Sequence, residues 1–431
     1  MSECGQSKPF NPKVDNQGLL YQKGHSALVS IADPIEEELR DIEKAKMAYA
    51  VLPIIPFFDN SDATLKVLRK LASLSPTEGS CINSIADYVL GGGLQIVDRV
   101  RPGVSTSRSQ RKSPEAENLA FDDFESWHPD IDIAYLLDQV ESCFMNYAIF
   151  GNIALHVKWF EIGGEKYIHF ESIDMEDWRF WATYPGEPKL AVISPIWTYD
   201  YITRFPPKYV GVYPHITEEE GISETIIHLN NKIPGRPWYG LPKSHQALYY
   251  KYWEYQLGDY GTKGYANQWS ARVFLETAGD NVEPGDIDQF RANLKKTFSF
   301  REDAKRVLHR HRNLSAEKTQ VYEFKDDKSH EFHVAVSDIA ERNIIKAHNW
   351  HRVLMGVPTP GRLGGQNDFS DIFKVKYNTI IAPTQNKIMQ PFNTMLGIAQ
   401  EWLGLELDFS IGLGNLFEDM LQTEKEVDDE T

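Results

Sequence analysis

The spacing of apolar positions marks out helices first. After Ser61-Asp62, the residues Leu65, Leu68, Leu71 and Leu74 fall on one face of LKVLRKLASL. Pro76 then opens a second run, SPTEGSCINSIADYVL, stopped by Gly91, Gly92 and Gly93. IDIAYLLDQVESCFMNYAIF is a third helical pattern and closes at Gly151. The runs IALHVKWF, KYIHFESI, AVISPIW and ETIIHL follow. They are rich in β-branched and aromatic residues, are bounded by turn signals and predict strands. Residues 61–230 therefore read as one α+β region.

Pro242 precedes SHQALYYKYWEYQLGDYGTKGYANQWS, a long helical stretch whose first turn tolerates the proline. Tyr249, Tyr250, Tyr252, Trp253, Tyr255, Tyr260, Tyr265 and Trp269 leave it no purely polar face, which predicts cover on several sides. Gly258, Gly261 and Gly264 each cost about 1 kcal/mol in a helix interior, so they predict a closely approaching neighbour. RVFLET reads as a strand, and Asp286 with Gln289 forms a capping box for a helix striped by Ile287, Phe290, Leu294 and Phe298. QVYEF and EFHVAV read as two further strands, completing a compact α+β insertion over 271–336.

Asp338 with Glu341 repeats the capping box and opens IAERNIIKAHNWHRVLM, which stops at Gly356. The loop GVPTPGRLGGQNDFS is rich in Gly and Pro. From Asp371 to Gly404 one helical pattern contains Pro383, which removes a backbone donor and predicts a kink. The acidic tail EDMLQTEKEVDDET is expected to fray into solvent, and the first 45 residues read as a loosely held arm.

Composition narrows the classes. A chain of 431 residues exceeds the size at which single cores stop growing, so several subdomains are expected. The net charge of −17 argues against a protein that grips DNA by neutralising phosphates, but it suits a wall past which DNA slides. The one long apolar stretch, Met47 to Phe58, is broken by Pro53 and Pro56 and falls short of the roughly 20 residues a spanning helix needs, so no membrane is expected. MSECGQSKPF lacks the features of a secretory leader, and Cys4, Cys81 and Cys143 are odd in number and far apart. Both point to assembly in a reducing cytoplasm.

The chemical signals are sparse. No Gly-x-x-x-x-Gly-Lys-Ser/Thr loop or Gly-x-Ser-x-Gly elbow occurs, and Gly91 to Gly93 lack the Lys-Ser pair that a phosphate cradle requires. His309/His311, His330/His333 and His348/His351 are spaced to share a metal, but no third ligand accompanies them, so structural roles are expected. No catalytic residue, metal or other cofactor is assigned. The basic run 100–115 reads as a solvated loop or as a nucleic-acid contact. Within the insertion, Lys295, Lys296, Arg301, Lys305, Arg306, Arg310 and Arg312 form either a docking face for an acidic partner or an ordinary solvated face.

The order of elements resembles the bacteriophage portal family, nearest its lambda-like and prophage branch, over residues 61–415. FGN at Phe150 to Asn152, YGLP at Tyr239 to Pro242, the turn GVPTPGRLGG and the segment with Ile381, Pro383 and Gln385 carry the resemblance. It implies an α+β portal fold in a ring of about twelve subunits. The N-terminal arm spans 1–45, the wing 46–240, the first stem helix 241–270 and the α/β clip 271–336. The second stem helix spans 337–356, the tunnel loop 357–370, the kinked wing helix with a closing strand 371–415 and the acidic tail 416–431. The resemblance further implies DNA contact by the tunnel-loop residues Arg362, Gln366 and Asn367, and clip docking by the basic set above. Tyr249, Tyr252, Trp253 and Tyr255 are expected to pack between subunits in the stem. The implied partners are further copies of the chain, double-stranded DNA, the large terminase subunit, the major capsid protein and a head-tail adaptor, at the portal vertex of a virion. The acidic stretch YPHITEEEGIS and the short C-terminus depart from the family pattern, and the latter argues against a large crown. Another virion connector and a soluble DNA-processing enzyme are the competing readings.

Overall fold

The computed structural model describes residues 52–57, 63–98, 133–182, 187–266, 273–278, 285–290, 307–312, 320–323, 329–357, 366–404 and 409–417. The chain divides into two compact units. The larger comprises residues 39–252 and 340–431, and the smaller comprises 1–38 and 253–339.

The larger unit is built on an eight-stranded sheet ordered β1-β5-β6-β7-β9-β3-β4, with β8 also paired to β9. Its strands are β1 (Ile54–Ile55), β3 (Asn152–Ile162), β4 (Glu165–Ser172), β5 (Trp178–Trp181), β6 (Leu190–Ile193), β7 (Lys208–Val212), β8 (Thr217–Glu219) and β9 (Ile222–Asn230). All pairings are antiparallel except β7 with β9, where Gly211 faces Thr225 and Val212 faces Ile226. Alternation along β3 splits the core between the two faces of the sheet. Ile153, Leu155, Val157 and Trp159 join one apolar cluster, and Ala154 joins the other. Helices α3 (Ile133–Phe150) and α8 (Ala382–Leu403) cover the first face. Leu65 and Leu68 of α1 (Ala63–Leu74) join Phe57, Trp178, Phe180 and Tyr239 in the second cluster.

Helix α2 (Pro76–Leu90) begins where the sequence predicts. Ser75 has an extended backbone, Pro76 stands in the first turn, and the Ser75 hydroxyl accepts the Glu78 N–H at 3.3 Å. A two-stranded ribbon of β2 (Leu94–Asp98) and β13 (Phe409–Leu413) closes the unit. Gln385 ties the end of α2 to this ribbon, donating to the Val89 carbonyl at 2.9 Å and the Gly414 carbonyl at 2.8 Å. No described helix is long and apolar enough to cross a membrane.

In the smaller unit, β10 (Val273–Ala278) is the centre of a three-stranded sheet. It pairs in parallel with β11 (Val307–Arg312) and antiparallel with β12 (Gln320–Glu323), and residues 285–290 are helical. Helices α5 (Leu248–Ala266) and α6 (Ser329–Ala347) each run across the boundary between the units.

Several boundaries differ from expectation. EFHVAV lies inside α6, which starts at Ser329, and Asp338 and Glu341 fall within that helix. The apolar residues of this segment alternate, but Phe332, Val336, Ala340 and Ile344 also recur every four residues, so period alone did not decide between strand and helix. VLHRHR, assigned no strand from the sequence, is β11. Pro242 precedes a 3-10 turn (Lys243–Ala247) rather than the first α-helical turn. The predicted helix 371–404 is two helices, α7 (Gln366–Lys376) and α8, joined by a π-helical turn, Tyr377–Ile381. Pro383, which cannot donate to a carbonyl four residues back, follows that wider turn at the start of α8. The proline within α8 is Pro391. Residues 366–370, expected from the sequence to belong to a loop, are the first five of α7.

Candidate functional site

FGN and YGLP, whose Asn152 and Gly240 stand 88 residues apart in sequence, meet in one joint of the larger unit. Gly151 follows α3 with φ +73, and a Cβ there would lie 2.2 Å from the Leu241 carbonyl carbon. A Cβ on Gly240 would lie 2.6 Å from both the Asn231 nitrogen and the Gly151 oxygen, so backbone approaches backbone with no room for a side chain. Asn152 fastens the joint. Its amide donates to the Phe150 carbonyl at 2.8 Å and the Gly240 carbonyl at 3.1 Å, and its oxygen accepts the Gly240 N–H at 2.9 Å. Tyr239 extends it to the sheet edge, its hydroxyl accepting the Phe180 N–H at 2.8 Å and donating to the Ile55 carbonyl at 3.0 Å. The Asn152 oxygen also faces His228 Nε2 at 3.3 Å, an arrangement that places the proton on that nitrogen. Burial between Trp178 and Phe180, with repulsion from Lys387, pushes the His228 imidazole down to about 3.

Immediately downstream, the root of α5 enters a buried polar junction. Glu78 Oε1 accepts from Lys251 Nζ at 2.6 Å and from the Ser244 hydroxyl at 3.0 Å, and its Oε2 faces His348 Nε2 at 2.8 Å. Lys251 also donates to Ser244 at 2.8 Å, and all four residues are buried. Burial alone would raise the Glu78 carboxyl, but hydrogen bonds and attraction from His348 and Lys251 outweigh it and hold the group below the ordinary carboxylate range. The junction joins the first turn of α2, the start of α5 and the chain just after α6. It therefore fixes the roots of both long helices against the larger unit.

A second polar cluster crosses the sheet at its parallel seam. His156 of β3 meets Glu171 of β4 at 3.2 Å and Glu224 of β9 at 3.1 Å, and Lys208 of β7 reaches Glu224 at 2.5 Å. The hydrogen bond from His156, reinforced by Lys158 against the opposing effect of burial, holds Glu171 down to about 2.

The sequence-predicted site residues are scattered. Arg362, Lys295, Lys296, Arg301, Lys305, Arg306 and the basic run 100–115 lie outside the described residues. Gln366 and Asn367 open α7, while Arg310 and Arg312 lie on β11, in register with Glu276 and Ala278 of β10. Tyr249 is 78% and Trp253 46% exposed, Tyr252 is half-buried, and Tyr255 is only 7% exposed. Within one chain α5 thus leaves Tyr249 and Trp253 uncovered, while Tyr255 has little surface left for a neighbour. His309 and His311 stand two apart on β11. His348 belongs to the Glu78 junction, and the His351 ring accepts the Val353 N–H at 3.2 Å. Sequence reasoning missed Glu78, Lys251 and Ser244. The Ser75-x-x-Glu78 spacing is an ordinary capping signature, and nothing in it marks a carboxylate that turns inward.

No protein-family model and no curated protein matches the sequence. Solved structures do match in fold. A chain of the neck of a native gene transfer agent particle, computed with C12 symmetry, is similar at TM-score 0.52 and 14% identity, over 88% of this chain and 91% of that one. A chain of the virion of a native gene transfer agent particle matches at TM-score 0.51 and 12% identity, over 88% and 91%. A chain of the neck of an empty particle, computed with C6 symmetry, matches at TM-score 0.51 and 12% identity, over 86% and 89%. The protein shares the fold of a chain found in such particles along nearly its whole length.

Proposed function

We propose that the protein is the portal subunit of a tailed phage or phage-like particle, a ring at one capsid vertex through which DNA is packaged and released. The observation that carries this reading is the near end-to-end similarity of fold to chains of a particle neck computed with C12 and C6 symmetry. The architecture supports it: two long helices flank a small α+β unit, and both are rooted in a buried junction on a larger α+β unit. In this reading the larger unit is the wing, α5 and α6 are the stem, and the three-stranded sheet belongs to the clip. The exposed Tyr249 and Trp253 meet neighbouring copies, while Arg362, Gln366 and Asn367 approach DNA at the channel. The basic clip residues dock the large terminase subunit and later a head-tail adaptor, and the wing meets the major capsid protein. The net charge of −17 suits a conduit that must not hold its cargo.

Light scattering on a sizing column, followed by negative-stain imaging, tests the proposal. Rings of about twelve subunits with a central hole are expected. A monomer that hydrolyses nucleotide or nucleic acid would overturn it.

A further inference from the structure

Three lysines gather beside the Glu78 junction without an acidic partner. Lys243 Nζ lies 6.0 Å and Lys387 Nζ 5.6 Å from the centre of the same Tyr147 ring, and Lys387 donates to the Asn230 carbonyl at 2.6 Å. Lys232 lies close enough to add to the repulsion felt by Lys387. Among the described residues none of the three makes an ion pair. In a chain of net charge −17, two uncompensated ammonium groups at one tyrosine ring leave a local positive potential that an anion would relieve.

A cavity of about 40 Å³ opens beside them, more than the roughly 10–15 Å³ one water requires. Its polar wall comprises Lys243, Ser244, His348, Tyr147 and Thr384. Tyr147 and Thr384 are 8% and 4% exposed, yet neither hydroxyl makes a hydrogen bond to another described residue. Both hydroxyl oxygens reach the cavity rather than being sealed in the core, so they are free to donate to an occupant. Ser244 and His348 are already engaged by Glu78, which leaves Lys243, Tyr147 and Thr384 as available donors on the wall, with Lys387 beside the Tyr147 ring.

From this geometry we infer that Lys243 and Lys387, with the Tyr147 and Thr384 hydroxyls, form a binding site for a phosphate-type oxyanion. Ammonium groups act as point charges with rotatable donors. Two of them around hydroxyl donors suit a tetrahedral anion better than the planar, two-pronged pairing that a carboxylate makes with arginine. Because Ser244 and His348 belong to both the cavity and the Glu78 junction, the anion would sit against the root of α5. The inference stands apart from the portal proposal.

The test titrates the full chain with inorganic phosphate at constant ionic strength, reading line broadening in phosphorus NMR together with the melting temperature. Saturable binding is expected. Lys243→Gln should weaken it at least tenfold, and Tyr147→Phe, which deletes only the unbonded hydroxyl, should weaken it severalfold. Lys189→Gln, at another exposed lysine, should leave it unchanged. A short DNA duplex in a competing titration separates the sources. Displacement that depends on Lys243 identifies a phosphodiester, and failure to displace identifies free phosphate, the site standing in either case. Absence of saturable binding, or equal affinity in Lys243→Gln and Lys189→Gln, would overturn it.

Discussion

Replacing Lys251 by Met keeps the length and apolar stem of the side chain and removes only the ammonium that meets Glu78 at 2.6 Å and Ser244 at 2.8 Å. Both ends of the pair are about 3% exposed, so water cannot take over the lost interaction. Removing one partner of a buried ion pair costs about 3–5 kcal/mol, chiefly because the other charge stays behind uncompensated. At about 2 °C per kcal/mol, the low end of the size scaling and appropriate to the larger unit, the melting temperature should fall by about 6–10 °C. Adding Glu78→Gln should cost much less than the two single losses summed, since it removes the stranded charge. Calorimetry on the three variants at pH 7 reads all of this. A Lys251→Met protein within about 1 kcal/mol of the parent, or strictly additive losses in the double variant, would refute the account of the junction.

Other consequences are equally concrete. Gly151→Ala places a Cβ in a left-handed backbone conformation and 2.2 Å from the Leu241 carbonyl carbon, atoms that cannot yield separately. A loss above about 4 kcal/mol, seen as low soluble yield or a melting temperature near ambient, is expected. His228 is neutral in the fold, and its folded-state pKa lies below the ordinary 6.5. The stability it preserves is therefore full above pH 6.5 and is lost as pH falls toward 3. That loss is about 2 kcal/mol by pH 5, an upper figure because part of the residue reaches solvent. His228→Gln keeps a donor for Asn152 and should flatten the pH dependence of denaturant midpoints between pH 7.5 and 5. Depressed Glu78 adds a separate loss of stability only below its ordinary value of 4.5. Trp253→Ala, at a position 46% exposed, should leave the monomer's melting temperature nearly unchanged while lowering ring yield on sizing columns.

The short motifs in the sequence were legible as markers of a family pattern, and the structure shows what they do. FGN and YGLP supply the two glycines and the asparagine of one joint, and Ile381, Pro383 and Gln385 supply a core residue, the first turn of α8 and a clamp on the closing ribbon. The helices α1, α2 and α3 and the four predicted strands of the larger unit were readable because each carries a single period with caps or turns at its ends. The α6 boundary was not, because alternating valines at its start satisfy both periods. The Glu78 junction was hidden for a different reason. Its members stand 166, 173 and 270 residues from Glu78, and each looks ordinary in its own neighbourhood.

The closing ribbon has a bearing on synthesis. β13 pairs with β2 from Phe409 opposite Asp98 to Leu413 opposite Leu94, so the larger unit joins its first third to a strand made more than 300 residues later. Helices α2 and α3 and most of the sheet emerge from the ribosome long before α8 and β13 exist to cover them. Until then, Ile96 and the face of β3 that receives α8 remain open to solvent or to other chains. The intervening unit has its whole sheet in one stretch of chain and can close on local contacts while this surface waits. Competence to assemble should therefore switch on late, with the last strand, and a ribosome-arrested chain ending before residue 409 should bind chaperones rather than its own kind.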